Sequence, residues 1–146
     1  MSEIDANKKG REQLQALVNR LSDEQLAVKA GDGWTVGAIL AHLAFWDYRA
    51  LELVRRWKKE GVGASPTDAD AINDAMKPLL LAIAGRQAAN LAIQAAEAVD
   101  AEISNIPEDL RAGIEALVRE GKFRLNRSIH RNEHLEQIEK MLAESR

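Results

Sequence analysis

Residues 36–60, VGAILAHLAFWDYRALELVRRWKKE, decide how the chain is read. At 100° per residue, Val36, Ile39, Leu43, Trp46, Ala50, Leu53, Val54 and Trp57 fall in one stripe roughly 100° wide, so the segment is a helix with one face in a core. Thr35 stands where a helix cap is needed. Trp34 is placed to lie as a lid over the helix start. Gly61 to Pro66, GVGASP, ends the helix in a loop.

The same period continues outward in both directions. A first helix is expected from about Ser2 to Leu21, with Leu14, Leu17, Val18 and Leu21 on one face. Ser22-Asp23-Glu24-Gln25 reads as a capping box for one short turn, and Gly31-Asp32-Gly33 as a tight loop. Downstream, Asp68 to Met76 is helical, with Pro78 interrupting it or starting a new turn. A third long helix is expected from about Leu79 to Asn105, burying Ala88, Leu91, Ala92, Ala95, Val99 and Ile103. Pro107 opens a short helix that runs to about Arg119, and Gly121 stops it. The last helix is expected from about Phe123 to Glu144. With 24 alanines and three prolines, the fold class is all-α. Four long helices form one bundle domain over residues 1–146, with short helices in the connections.

Composition narrows the function. Lys+Arg number 20 and Asp+Glu 23, a formal charge of −3, which argues against a general nucleic-acid or membrane-surface binder. With no cysteine there is no disulfide, thiolate nucleophile or Cys-ligated metal, and a reducing, cytoplasmic setting fits. No apolar run reaches the ~18 residues of a membrane span. The polar start, MSEIDANKKGREQ, does not read as a signal peptide. Neither a Ser-His-Asp order nor a glycine-rich phosphate loop appears.

The three histidines are more informative. His130 and His134 are spaced i, i+4, so one helix face carries both. They lie at the edge of the stripe marked by Phe123, Leu135, Ile138, Met141 and Leu142, and His42 lies at the edge of its own stripe. All three therefore point to the bundle interior or its rim. Such a pair, joined by a third imidazole from a neighbouring helix, makes a facial set for one divalent ion, with a position left open for water or substrate. The competing reading is three core histidines without a metal. For a metal site, affinity should fall below about pH 6, because ligand imidazoles must be neutral.

Three stretches carry a family likeness: WTVGAILAHLAFWD at 34–47, DAIND at 70–74 and HRNEHLEQIE at 130–139. In these, and in the spacing of its elements over essentially the whole chain, the sequence resembles the DinB/YfiT-like superfamily of metal-dependent enzymes. The resemblance implies a four-helix bundle in up-down-down-up order. It implies a zinc or nickel ion held by His42, His130 and His134. Relatives include glutathione-, mycothiol- and bacillithiol-dependent transferases and isomerases, and hydrolases. The implied function is thus thiol-dependent transfer or hydrolysis of a small molecule, with a low-molecular-weight thiol as a second cofactor. A non-enzymatic metal-binding or stress-related interaction bundle is the alternative. Relatives of this kind also imply a homodimer, for which the narrow stripe of the first helix and the flat, alanine-rich third helix offer surfaces.

Other residues carry two readings each. Asp47 and Asp70 either orient an imidazole or are solvated carboxylates. Glu133 is a base or a surface residue, and its place in the pattern is not that of HExxH. Trp34, Trp46 and Trp57 are assigned to the core. Arg124, Arg127 and Arg131 lie at about 120°, 60° and 100° from His130 on a helical wheel, the side of Leu135, Ile138 and Leu142. They either pair with acids such as Asp100, Glu97 or Asp109, or line the mouth of the metal site and hold a carboxylate- or phosphate-bearing substrate.

Overall fold

Side-chain caps set where several helices begin in the computed structural model, which describes residues 2–145. Ser2 accepts from the Asp5 N–H at the start of α1 (Glu3–Arg20). Ser22 and Gln25 complete a capping box on α2 (Asp23–Leu26). Thr35 accepts from the Ala38 N–H to open α3 (Val36–Glu60), and Asp68 does the same from Ala71 for α4 (Ala69–Leu81). Each such bond satisfies an amide that the helix itself leaves without a partner. α5 (Gly85–Ser104), α6 (Glu108–Arg119) and α7 (Ser128–Glu144) follow. Among the described residues there is no β-strand, only an isolated bridge between Lys29 and Thr35. No helix among them is long and apolar enough to cross a membrane.

Side-chain pairs fix how the four long helices run. On α1 and α7, Gly10 lies against Ser128 and Arg20 pairs with Glu139, so these two are parallel. Gly37 meets Gly85 and Lys58 pairs with Glu102, so α3 and α5 are parallel. Arg11 meets Asp100 while Arg86 reaches the Val18 and Leu21 carbonyls, which makes α5 antiparallel to α1. In chain order the long helices run up, down, down, up. The start of the α3–α5 contact needs glycine, because a Cβ on Gly37 would stand 2.9 Å from the Gly85 Cα.

Two boundaries differ from the sequence reading. Pro78 does not end α4, which passes through it to Leu81. Its ring holds a helical φ, and the helix forgoes one hydrogen bond. The break falls at residues 82–84, where the chain leaves the helical path and Ile83 packs on the Ala38, Ala41, Leu80 and Ala88 cluster. α5 therefore begins at Gly85 rather than Leu79. α7 begins at Ser128, not Phe123, because Phe123 and Leu125 leave the helix axis to fill the core beside Trp57. The α5 alanines at 88, 89, 92, 95 and 96 are buried inside the bundle, so they are not the flat outer face on which the dimer expectation leaned.

Beside the smaller cluster of Ala38, Ala41, Leu80 and Ala88, the core has two large apolar clusters with a polar layer between them. One joins Leu14, Leu17, Leu40, Leu43, Ile138 and Leu142; the other joins Val54, Trp57, Val99, Ile103, Ile114 and Phe123. Between them lie the buried Asn7, Asp47, Asp100, Arg127 and Arg131. Asn7 ties α1 to the start of α7. Its Oδ1 accepts from the N–H of Arg127 at 2.7 Å and of Ser128 at 3.2 Å, and its amide donates to the Leu125 carbonyl at 3.0 Å. Asn7→Ala should therefore lower stability by about 2 kcal/mol, by leaving buried backbone groups without partners. Urea unfolding measures this, and a midpoint unchanged from wild type would remove the tie from the account.

Candidate metal centre

Two helices and a fixed register bring the histidines together. His130 and His134 stand one turn apart on α7, and His42 faces them from α3. His42 Nε2 lies 3.1 Å from His130 Nε2, and His134 Nε2 lies 3.1 Å from the same atom. Ligands about 2.1 Å from one ion stand roughly 3.0–3.4 Å apart, so this donor set fits a single divalent metal. Hydrogen bonding alone accounts for the cluster poorly. A ring nitrogen carries one proton or one lone pair, and His130 Nε2 faces two partners. His134 donates its Nδ1–H to Gln137 Oε1 at 2.7 Å, which turns its Nε2 lone pair toward the other two rings.

The surroundings keep two of the ligands neutral. Burial, and then the neighbouring His134, push His42 down to about 4. Burial pushes His130 to about 3, aided by the charges of His134, His42, Arg127 and Arg124. Both imidazoles offer lone pairs at neutral pH without first losing a proton. Their share of any acid loss of metal thus falls near pH 3–4, lower than the pH 6 expected from an unperturbed histidine. The same shifts predict a stability trend for the metal-free protein. Protonation near 6.5 is open to these rings only when the chain unfolds, so their contribution is complete above pH 6.5 and is lost as pH falls through 4 and 3. The urea midpoint should drop between pH 6.5 and 4.5, and drop less in a His42→Gln, His130→Gln double variant. Equal drops in the two proteins would contradict this.

A cavity of about 450 Å³ opens on His42 and His134 from one side, within the range of small-molecule pockets. His42 and Ile39 of α3 and His134 and Gln137 of α7 form its inner wall. Asp70, Asn73 and Asp74 of α4, with Asp32 and Trp34 of the loop before α3, form its outer wall. Trp34 and Trp46 meet the His42 ring edge-on, with centroids 6.0 and 6.5 Å away, and Trp46 Nε1 donates to Asn73 Oδ1 at 3.0 Å. Only Trp57 is a core residue in the full sense expected of all three. From the sequence, Asn73, Asp74 and Gln137 were read only as parts of the family-like stretches at 70–74 and 130–139, and Asp32 only as part of a tight loop, none of them as a site residue. Gln137 was accessible there, three residues beyond His134 on the same face. The α4 residues were not, because nothing local says which side of the bundle the long connection covers.

The arginines are placed differently from the substrate-facing expectation. Arg131 is 0 % exposed and uses all five of its N–H donors, on Asp47, Asp100 and the Asn7 carbonyl, at 2.8–3.2 Å. Burial alone would lower its pKa, but the two carboxylates override this and raise it, so it stays charged. Arg127 precedes the first turn of α7 and donates to Asp47 at 2.9 Å. Arg124 is exposed in the segment before it. Because α7 starts at Ser128, the helical wheel never applied to Arg124 or Arg127. None of the three lines the cavity. Asp47 is accordingly not an imidazole-orienting acid but half of a buried tie between α3 and α7, five residues from His42 and adjoining His130 through Arg131. Glu133 is exposed.

A sequence model of the DinB superfamily matches residues 6–138. The chain belongs to the DinB superfamily. No curated protein and no solved structure matches it. The match spans all three histidines and the whole of α3, α4 and α5, so the elements that build this centre are those of the superfamily's domain.

Proposed function

We propose that this DinB-superfamily protein is a metal-dependent enzyme whose His42, His130 and His134 hold one zinc or nickel ion, and that it acts on a small molecule by hydrolysis or thiol transfer. The convergence of three Nε2 atoms beside an open cavity carries this reading. Among the described residues the cluster contains three ligands and no fourth, which favours a catalytic over a closed structural site. When bound, such an ion supplies Lewis-acid activation of a water or a thiol. The chain's own groups do the rest. Gln137 holds the His134 tautomer, burial keeps His42 and His130 unprotonated, and Trp34 and Trp46 limit water around the His42 ring. Among the described residues the cavity lining includes no arginine or lysine, so an anionic substrate would be held by the ion rather than by Arg124, Arg127 or Arg131.

The test is metal analysis of purified protein, followed by hydrolysis assays and transfer assays with several low-molecular-weight thiols. The enzyme reading expects turnover that requires the metal and disappears in His42→Ala. A stoichiometric ion with no turnover in either assay would favour the non-enzymatic metal-binding bundle instead.

A further inference from the structure

Resting on the metal-centre reading, we propose that Asp47 is a positioning residue of the three-histidine centre, which sets the spacing of His42 from His130 and His134 through Arg127 and Arg131. α3 and α7 run antiparallel, so the path from His42 to Asp47 along α3 is matched by the path from His134 back to Arg127. Asp47 Oδ1 accepts from Arg127 Nε at 2.9 Å, and its Oδ2 accepts from Arg131 Nε at 3.2 Å and Nη2 at 3.1 Å. Arg127 Nη2 also donates to the Trp46 carbonyl at 3.3 Å. Among the described residues, every hydrogen bond between α3 and either Arg127 or α7, apart from the one joining His42 to His130, ends on Trp46 or Asp47.

The centre lies between two kinds of contact. Toward one end, Ile39 and Leu40 of α3 share an apolar cluster with Ile138, Met141 and Leu142 of α7. Apolar burial is non-directional, so that contact stabilises the pair without aligning it to a fraction of an ångström. A metal asks for that alignment. Metal–ligand distances hold within about 0.2 Å, and a site must be kept within roughly 0.5 Å of its working geometry. Toward the other end, the charge-assisted N–H bonds from Arg127 and Arg131 onto Asp47 and the Trp46 carbonyl are directional and supply it. Asp47 thus acts on the centre without touching an imidazole. Asp100 provides the contrast. It is buried nearly as deeply, 5 % against 2 % exposed, and is likewise shared by two arginines, Arg11 and Arg131. It stands on α5, which carries no histidine. Loss of either carboxylate opens the same buried network, but only Asp47 joins the two helices that carry the ligands.

The experiment compares full-length wild type with Asp47→Asn and Asp100→Asn. Urea unfolding without metal measures stability, competition against a chelating dye measures zinc affinity, and the visible absorption of bound cobalt(II) reports the geometry of the centre. Both variants should lose comparable stability. Asp47→Asn should bind zinc at least ~10-fold more weakly and change the cobalt spectrum, while Asp100→Asn keeps its zinc affinity within about threefold and the wild-type spectrum. If Asp47→Asn does not fold, Arg127→Gln carries the same test, because it takes one donor from Asp47 and leaves Arg131 with both carboxylates. It too should weaken zinc and shift the spectrum. Wild-type affinity and spectrum in the Asp47→Asn or Arg127→Gln protein, or an equal loss of zinc in Asp100→Asn, would overturn the proposal by reducing Asp47 to a contributor to stability alone. His42→Ala separates this outcome from failure of the metal-centre reading. Wild type that takes up no zinc, or that keeps it after His42→Ala, removes the centre and the proposal together. Zinc lost in His42→Ala but fully kept in Asp47→Asn removes the proposal alone.

Discussion

Arg131→Met should lower stability by about 3–5 kcal/mol, because it strands Asp47 and Asp100 as buried carboxylates without their shared partner. Against a total of about 5–15 kcal/mol for a typical domain, that loss brings the protein close to unfolding at 37 °C. Arg127 and Arg11 each retain one of the two carboxylates, so a folded but weakened protein at 25 °C is the expected state. Urea midpoints measure the loss. The instructive contrast is a triple replacement by apolar residues, Asp47→Leu, Asp100→Leu and Arg131→Met, which removes the charges together. It should recover much of the stability, since a buried ion network is costly mainly when it is broken by halves. A single Arg131→Met change that leaves the midpoint within about 1 kcal/mol of wild type would show that the polar layer does not hold the bundle.

His130→Ala should reduce zinc or nickel affinity by at least ~100-fold, since loss of a mere supporting partner of a ligand already costs 10–100-fold. His130 is the ring that the other two both face, so its loss leaves His42 and His134 without their common neighbour. The effect also appears as stability. An ion present at about 1,000 times its dissociation constant stabilises the folded protein by about 4 kcal/mol. That increment should be large in wild type and absent in His130→Ala. Gln137→Ala, which frees the His134 tautomer, should fall between them. Equal metal-induced stabilisation in wild type and His130→Ala would place the ion elsewhere.

What the sequence revealed depended on how far apart the interacting residues are. α3 was legible to the residue because Thr35 caps it, Gly61 ends it and the stripe between them does not break. The histidine set was legible because His130 and His134 share a turn and His42 sits at the margin of a clear stripe. The wheel also placed Arg131 in the middle of the core face of α7, which demands a buried partner. It could not say which acid, because partners at positions 47 and 100 are set by the packing of three helices rather than by local spacing. Asp100 was among the acids considered for pairing, while Asp47 was read as a histidine-orienting group. The start of α7 was misread because Phe123 and Leu125 continue the helical period while packing from a non-helical segment. The cavity was beyond a linear reading, since its outer wall depends on where the connection between α3 and α5 lays α4.

X-ray absorption at the metal edge of protein carrying bound zinc or nickel, with the ion counted per chain, addresses the three-histidine centre most directly. The account predicts one ion per chain whose protein ligands are three imidazole nitrogens, and loss of that signature in His42→Ala and in His130→Ala. A substoichiometric ion, a carboxylate-dominated shell, or an imidazole signature that survives both substitutions would contradict it.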